Sequence, residues 1–459
     1  MDRLSPLDAA FIEAEEEDRH TSMAIASIAV FEGPVPAYEE VVAVIGSHLP
    51  SVPRYRQKLR TVPWRLGPPV WVDDPDFDIH FHIRPTALPD PGGDPELAQL
   101  MSAVMAQRLD RDRPLWEYWM VTGLAGGHWA LISKVHHCMV DGVSGTDLYR
   151  VMFDSPGSAP TPQQAVPGPG SLRLMARSAG EGLTLPLRAV QAATRLAVEP
   201  GRAWQQARSV ARGAWAARTA LAPAHRSSLS GPVGQQRHYT WVRLRLADVR
   251  AVRAELGGTI NDVVLAAIAA GFRAMLLHRG EMPTPHMVPS LVPVSLRPPG
   301  GENVYDNEVS AMIVDLPVHV ADPVEQLALI RRELSGLKDR EEPRVGEALE
   351  TLGRYVPYAA WAAFVRLGFR IPQREIVTVT TNVPGPRQTL YCLGRPLIEI
   401  IPYVPIASRV RVGVAIFSYR DDITFGITGD YTTTPDLQVL AHGIEEGLGS
   451  LLKAAAPAL

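Results

Sequence analysis

One run of seven residues, His136-His137-Cys138-Met139-Val140-Asp141-Gly142, constrains this chain more than any other. It follows a mostly apolar stretch, Trp129 to Val135, that reads as a buried strand. Behind it, Val143 to Phe153 can continue as a helix. Two adjacent imidazoles thus sit where a strand hands over to a loop, a place from which functional side chains are often presented. Imidazole is the side chain whose ordinary pKa suits proton transfer near neutral pH. The first expectation is a sheet with a proton-transfer site at one strand end.

The chain has 459 residues, too many for one ordinary core, so two domains are expected. Hydrophobic residues make up 46% and charged residues 20%, which describes a globular protein. A formal net charge of -4 gives no global reason to expect nucleic acid. The two cysteines, Cys138 and Cys392, are too few for a disulfide framework, and a reducing, cytoplasmic location is expected. Met1 to Asp8 lacks the basic start and apolar core of a signal peptide. No uninterrupted apolar run approaches the roughly 18–20 residues of a spanning helix; Tyr355 to Leu367 contains Pro357 and Arg366.

Residues 1–156 read as one mixed domain. Met23 to Phe31 suits a strand, Ala37 to Leu49 an amphipathic helix, and Asp94 to Leu109 a second helix. Asp76 to Ile83 alternates strictly and predicts a half-buried strand. Residues 157–236 read as a linker and connector. Ser155 to Ser171 is rich in Pro, Gly, Ser and Gln, and Leu172 to Arg226 is Ala- and Arg-rich, with nine arginines against two glutamates. Residues 237–459 read as a second mixed domain. Strands are expected at His238 to Leu246, His286 to Ser295, Val309 to Leu316, Ile376 to Asn382 and Arg411 to Tyr419, and a helix opens at Leu246. A largely buried helix runs through Asn261 to Ala269, capped by Thr259 or Asn261.

A general base needs a lone pair aimed at a hydroxyl or thiol and a neighbour that fixes its tautomer. His137 can take this role, while Asp141 is too near in sequence to be assumed its partner. The spacing suits a carboxylate turned away from the imidazole, holding the loop by a buried ion pair. Gly142 would let a substrate approach where a Cβ would obstruct it. Adjacent residues of a strand point to opposite sides, so one histidine can equally be a core residue. Adjacent histidines do not readily ligate one ion, and no Glu or Cys cluster of zinc-like spacing accompanies them, so no metal is expected. A Cys138 nucleophile is conceivable, but adjacency to His137 does not give the geometry it needs.

The run His136 to Gly142 matches the HHxxxDG signature of the coenzyme A-dependent acyltransferases. The whole chain resembles the bacterial wax ester synthase/acyl-CoA:diacylglycerol acyltransferases, particularly the actinobacterial triacylglycerol synthases. Four other stretches carry the resemblance, in order: Leu4 to Phe11, Arg113-Pro114-Leu115-Trp116, Asn261 to Ala266, and Thr381-Asn382-Val383-Pro384-Gly385-Pro386. It implies an α/β fold of two chloramphenicol-acetyltransferase-like domains, mixed sheets with covering helices, and an active-site tunnel between them. It implies that His137 deprotonates an acceptor hydroxyl, which attacks an acyl-CoA thioester without an acyl-enzyme. His136 would support the loop or the neighbouring substrate. Asp141 would be structural, with Arg297 the candidate partner. Pro114 and Trp116 either shape the domain or touch the acyl chain. Asn261 and Asp262 either cap their helix or support the site through it. Asn382 either orients a substrate carbonyl or ends its strand.

The implied partners are acyl-CoA, as substrate rather than cofactor, and diacylglycerol or a long-chain alcohol. Such acceptors reside in membranes or lipid droplets, so peripheral association with an inner membrane or droplet is expected. Arg208, Arg212 and Arg218, with Trp204 and Trp215, suit an amphipathic helix on an anionic surface. The same segment also reads as an interdomain connector, or as a binder of coenzyme A phosphates. The rivals are acyl transfer to a specialised alcohol or amine, from CoA or a carrier protein, and a weakly active lipid-binding paralogue.

Overall fold

The computed structural model describes residues 2–139, 153, 227–295, 309–339, 356–370 and 376–456. The chain opens with helix α1 (Pro6–Glu17). Ser5 caps it, its hydroxyl accepting the Asp8 amide at 3.1 Å, and Pro6 stands where a missing N–H costs nothing. Strand β1 (Ala24–Phe31) and helix α2 (Tyr38–His48) follow, then a two-stranded sheet of β2 (Gln57–Arg60) and β3 (Val70–Asp73). Next come a single turn α3 (Ile79–His82), β4 (Ile83–Ala87), α4 (Asp94–Ala106), β5 (Trp116–Thr122) and β6 (Trp129–His136). Every residue of β6 is buried, because it lies between β1 and β5 in the sheet interior.

The strand expected over Asp76 to Ile83 is not formed. Asp78 accepts the His80 amide at 3.0 Å and turns the chain into α3. His82 is thereby brought inward, where its ring stacks on Trp116 with centroids 4.4 Å apart. The helix expected to reach Leu109 ends at Ala106. The buried Lys134 ammonium donates to Val104 O at 2.8 Å and Gln107 O at 2.7 Å, satisfying carbonyls at that helix end.

The second part runs β7 (Arg237–Arg245), α5 (Leu246–Leu256), α6 (Ile260–His278), β8 (Pro289–Ser295), β9 (Val309–Asp315), α7 (Pro323–Asp339), α8 (Tyr358–Arg370) and β10 (Thr378–Pro384). It continues with β11 (Tyr391–Cys392), β12 (Arg395–Tyr403), β13 (Val412–Tyr419), β14 (Asp422–Asp430) and α9 (Leu437–Ala455). Two six-stranded mixed sheets result, in the orders β11-β12-β1-β6-β5-β4 and β7-β14-β13-β10-β8-β9. The expected α/β architecture of mixed sheets with covering helices is present.

The sheets do not divide cleanly along the chain. Strands β11 and β12 leave the second part and join the first sheet, with β12 antiparallel to β1 from Ala26 opposite Tyr403 to Phe31 opposite Leu397. At this junction the buried Tyr239 hydroxyl of β7 donates to Pro402 O of β12 at 2.7 Å. Gly426 of β14 lies so close that an added Cβ would sit 1.7 Å from the same carbonyl oxygen. Any side chain there would push the sheets apart.

Helix α6 is apolar enough, by length and composition, to cross a membrane. Here its residues Val263 to Ala269 are buried in the second core. It crosses α9 at glycines: a Cβ on Gly443 would stand 2.7 Å from Gly271 Cα.

Candidate active site

The site is assembled at the end of β6, where the chain leaves the sheet in a single tight turn, His137–Met139. Central position in the sheet fixes His136. Its amide donates to Leu115 O at 3.0 Å, and its Cα pairs with Ala24 of β1. Its ring is buried, with 2% exposure. The Cys138 amide donates to His136 Nδ1 at 3.2 Å, and the Cys138 thiol lies 3.0 Å from the same nitrogen. An acceptor role for Nδ1 places the ring proton on Nε2, which faces Glu15 Oε1 at 3.3 Å.

Glu15 comes from α1 and is itself buried. Oε1 accepts the Met23 amide at 2.6 Å, and Oε2 receives Arg111 at 3.0 Å. Burial alone would raise this carboxyl. His136, the Met23 amide and Arg111 outweigh it and hold the pKa at about 2. The site therefore contains a fixed carboxylate.

His137 differs from its neighbour. Its amide donates to Met23 O at 3.0 Å, and its ring packs on Phe11 with centroids 4.3 Å apart. It is only half-buried. Phe11 and Glu15 are four residues apart on α1 and so share a helix face. One addresses His137, the other His136. Cys138 is enclosed, and burial first, then the Asp8 and Glu15 carboxylates, push its thiol well above the usual range. A thiol so held is a poor nucleophile.

Asp141, Gly142 and Arg297 lie outside the described residues, as do the helix expected after the motif, apart from Phe153, and the basic segment Leu172 to Arg226. The Pro114 to Trp116 segment packs behind the strand end. Leu115 O holds the His136 amide, and Pro114 is buried. Trp116 has 0% exposure, and its indole N–H donates to Tyr55 O at 2.7 Å. The Trp116 ring packs between His82 and Tyr55, in keeping with the first of the two expected roles, shaping the domain around the strand.

The structure brings Asn261 and Asn382 together. Asn382 Nδ2 on β10 donates to Asn261 Oδ1 at the start of α6, at 3.2 Å. The helix cap is Thr259, whose hydroxyl accepts the Asp262 amide at 3.2 Å while Asp262 Oδ2 accepts the Thr259 amide at 2.7 Å. Asn261 is therefore not the cap. Asn382 does not end its strand either, since β10 continues to Pro384.

Sequence reasoning missed Glu15. It stands in the acidic stretch Glu13-Ala14-Glu15-Glu16-Glu17, which reads as a solvated face. The one local signal is its spacing from Phe11, which places it on the helix face that packs inward.

With this geometry established, comparison with known proteins is informative. The catalytic domain of wax ester synthase/diacylglycerol acyltransferase matches residues 4–264, and the C-terminal domain of the same family matches residues 305–452. The chain is 40% identical over 452 residues to a probable diacylglycerol O-acyltransferase of Mycobacterium tuberculosis, covering 98% of this chain and 96% of that one. The solved wax ester synthase/diacylglycerol acyltransferase of Marinobacter aquaeolei superimposes with a TM-score of 0.66 at 28% identity, over 99% of this chain and 100% of that one. A condensation domain of the calcium-dependent antibiotic synthetase, at 15% identity and TM-score 0.59, covers 99% of this chain and 96% of its own and shares the fold alone. This chain belongs to the wax ester synthase/diacylglycerol acyltransferase family.

Proposed function

We propose that the protein transfers a long-chain acyl group from acyl-CoA to the hydroxyl of diacylglycerol, giving triacylglycerol, with His137 as general base. Family membership supports the reaction class. The observation that carries the assignment within the site is the difference between the two histidines. His136 is buried beside Glu15 and Cys138, whereas His137 is only partly buried at the strand end.

In this reaction His137 takes the proton of the acceptor hydroxyl as its oxygen bonds to the thioester carbonyl carbon. The tetrahedral adduct collapses by breaking the carbon–sulfur bond, and the departing CoA thiolate recovers the proton from the imidazolium. No acyl-enzyme is required, and the enclosed Cys138 thiol is unsuited to form one. A thioester is already activated, so positioning and proton transfer are the protein's main contributions.

Long-chain alcohols are the second acceptor class, giving wax esters. Because both acceptors are lipids, we place the working enzyme at a membrane or droplet surface, with the basic segment Leu172 to Arg226 as the contact. The test offers labelled palmitoyl-CoA with diacylglycerol, hexadecanol or a short alcohol. Labelled triacylglycerol is expected with the first. Release of CoA with no acylated lipid contradicts the proposal and indicates hydrolysis.

A further inference from the structure

The proposed reaction leaves a buried carboxylate and one face of the first helix unused. Glu15 makes three contacts, of which one faces the first histidine and one leads to the second. Oε1 faces His136 Nε2 at 3.3 Å and accepts the Met23 amide at 2.6 Å, while Oε2 receives Arg111 at 3.0 Å. Met23 then accepts the His137 amide through its own carbonyl, at 3.0 Å. The carboxylate therefore lies beside the ring of the first histidine and holds the residue that binds the backbone of the second. One turn earlier, Phe11 packs against the His137 ring. Arg108 ties down the end of this helix, its Nε donating to Thr21 O at 2.9 Å and its guanidinium also reaching Glu15 O and Asp18 O.

Burying a carboxylate is costly unless charge and hydrogen bonds compensate it. An apolar side chain would pack α1 against the β6 end without that cost. The charged group faces His136 Nε2 and, through Met23, holds the turn that carries His137.

We propose that Glu15 is a positioning residue for acyl transfer, fixing the His136 ring and the Met23–His137 link so that the His137 imidazole is held against Phe11 in its working orientation. This inference rests on His137 being the base. Glu15 itself touches neither substrate. Its loss should therefore lower the rate of the chemical step without weakening substrate binding, because misplacing a base by a fraction of an ångström raises the barrier and leaves ground-state contacts intact.

The test uses the full-length protein and two variants. Glu15→Gln keeps an acceptor for the Met23 amide but removes the charge. Glu15→Asp keeps the charge, and with it the Arg111 partner, but withdraws it by one methylene. Steady-state kinetics are read with palmitoyl-CoA and diacylglycerol, below the unfolding transition of each variant. The expected result is a fall in kcat of about 10- to 100-fold for Glu15→Gln and several-fold for Glu15→Asp, with KM for both substrates within about twofold. His136→Gln combined with Glu15→Gln should lose little more than the worse single variant, since the two residues act through one contact.

A folded Glu15→Asp or Glu15→Gln protein with kcat within twofold of the parent overturns the proposal. So does a loss that only tracks the unfolded fraction, or one that falls on KM. Should Glu15→Gln fail to fold, Glu15→Asp carries the decision alone. Failure of the underlying reading looks different: His137→Ala would then retain activity whatever the Glu15 variants do.

Discussion

At the scale of single residues, the two adjacent histidines divide their work because the strand end gives them different surroundings. His136 lies between a backbone amide and a buried carboxylate, while His137 is fixed at its backbone and is only partly buried. The Glu15 carboxylate has a measurable signature in acid. Its folded pKa of about 2 lies below the usual 4.5, so it contributes stability above pH 4.5 that is lost as pH falls from 4.5 towards 2. The contribution is on the order of 3 kcal/mol. Urea unfolding of the parent and Glu15→Gln across that window should show a stability gap that closes on acidification. A gap independent of pH would mean that the carboxylate is not held ionised. The histidine pair was legible in the sequence because the apolar run Trp129 to Val135 announces a central strand. Its carboxylate partner was not, because His136 and Arg111 lie far along the chain from α1 and no local pattern records the encounter.

At the scale of elements, local periodicity was informative wherever one face meets the core, and misleading where a capping side chain redirects the backbone. The Asp76 to Ile83 alternation suits a strand, yet Asp78 captures the His80 amide and His82 turns in to stack on Trp116. Thr259, not Asn261, caps α6, which leaves Asn261 to meet Asn382. The α6–α9 crossing depends on glycines, and the sequence shows the residues but not the encounter. A Cβ on Gly443 would stand 2.7 Å from Gly271 Cα, whereas Gly449, on the same helix, has nothing within 4 Å. Gly443→Leu is expected to cost about 1–3 kcal/mol or more by overpacking. Gly449→Ala should be neutral or stabilise by up to about 1 kcal/mol through helix propensity. Denaturant midpoints of the two variants separate the outcomes, and equal midpoints would contradict the close crossing.

At the scale of the whole molecule, the two mixed sheets are joined by an exchange that no linear reading supplies. A boundary after the linker assigns residues 391–403 to the second part, but they complete the first sheet beside β1. The chain thereby ties the strands that present the histidines to the part that contains Asn382 and Asn261. Composition and ordered motifs made the α/β class and the family legible. Sheet exchange was not, because strand pairing over such separations depends on tertiary fit at places such as Tyr239, Pro402 and Gly426. The central claim is direct acyl transfer to a lipid hydroxyl with His137 as base. Its most direct test is a single-turnover measurement with labelled palmitoyl-CoA and diacylglycerol, comparing the parent with His137→Ala. The account predicts triacylglycerol formation slowed by about 10²–10⁴-fold in a folded variant that still binds palmitoyl-CoA, with no labelled protein in the parent. Triacylglycerol formed by His137→Ala within a few-fold of the parent rate, or an acyl-protein adduct on the path, would contradict it.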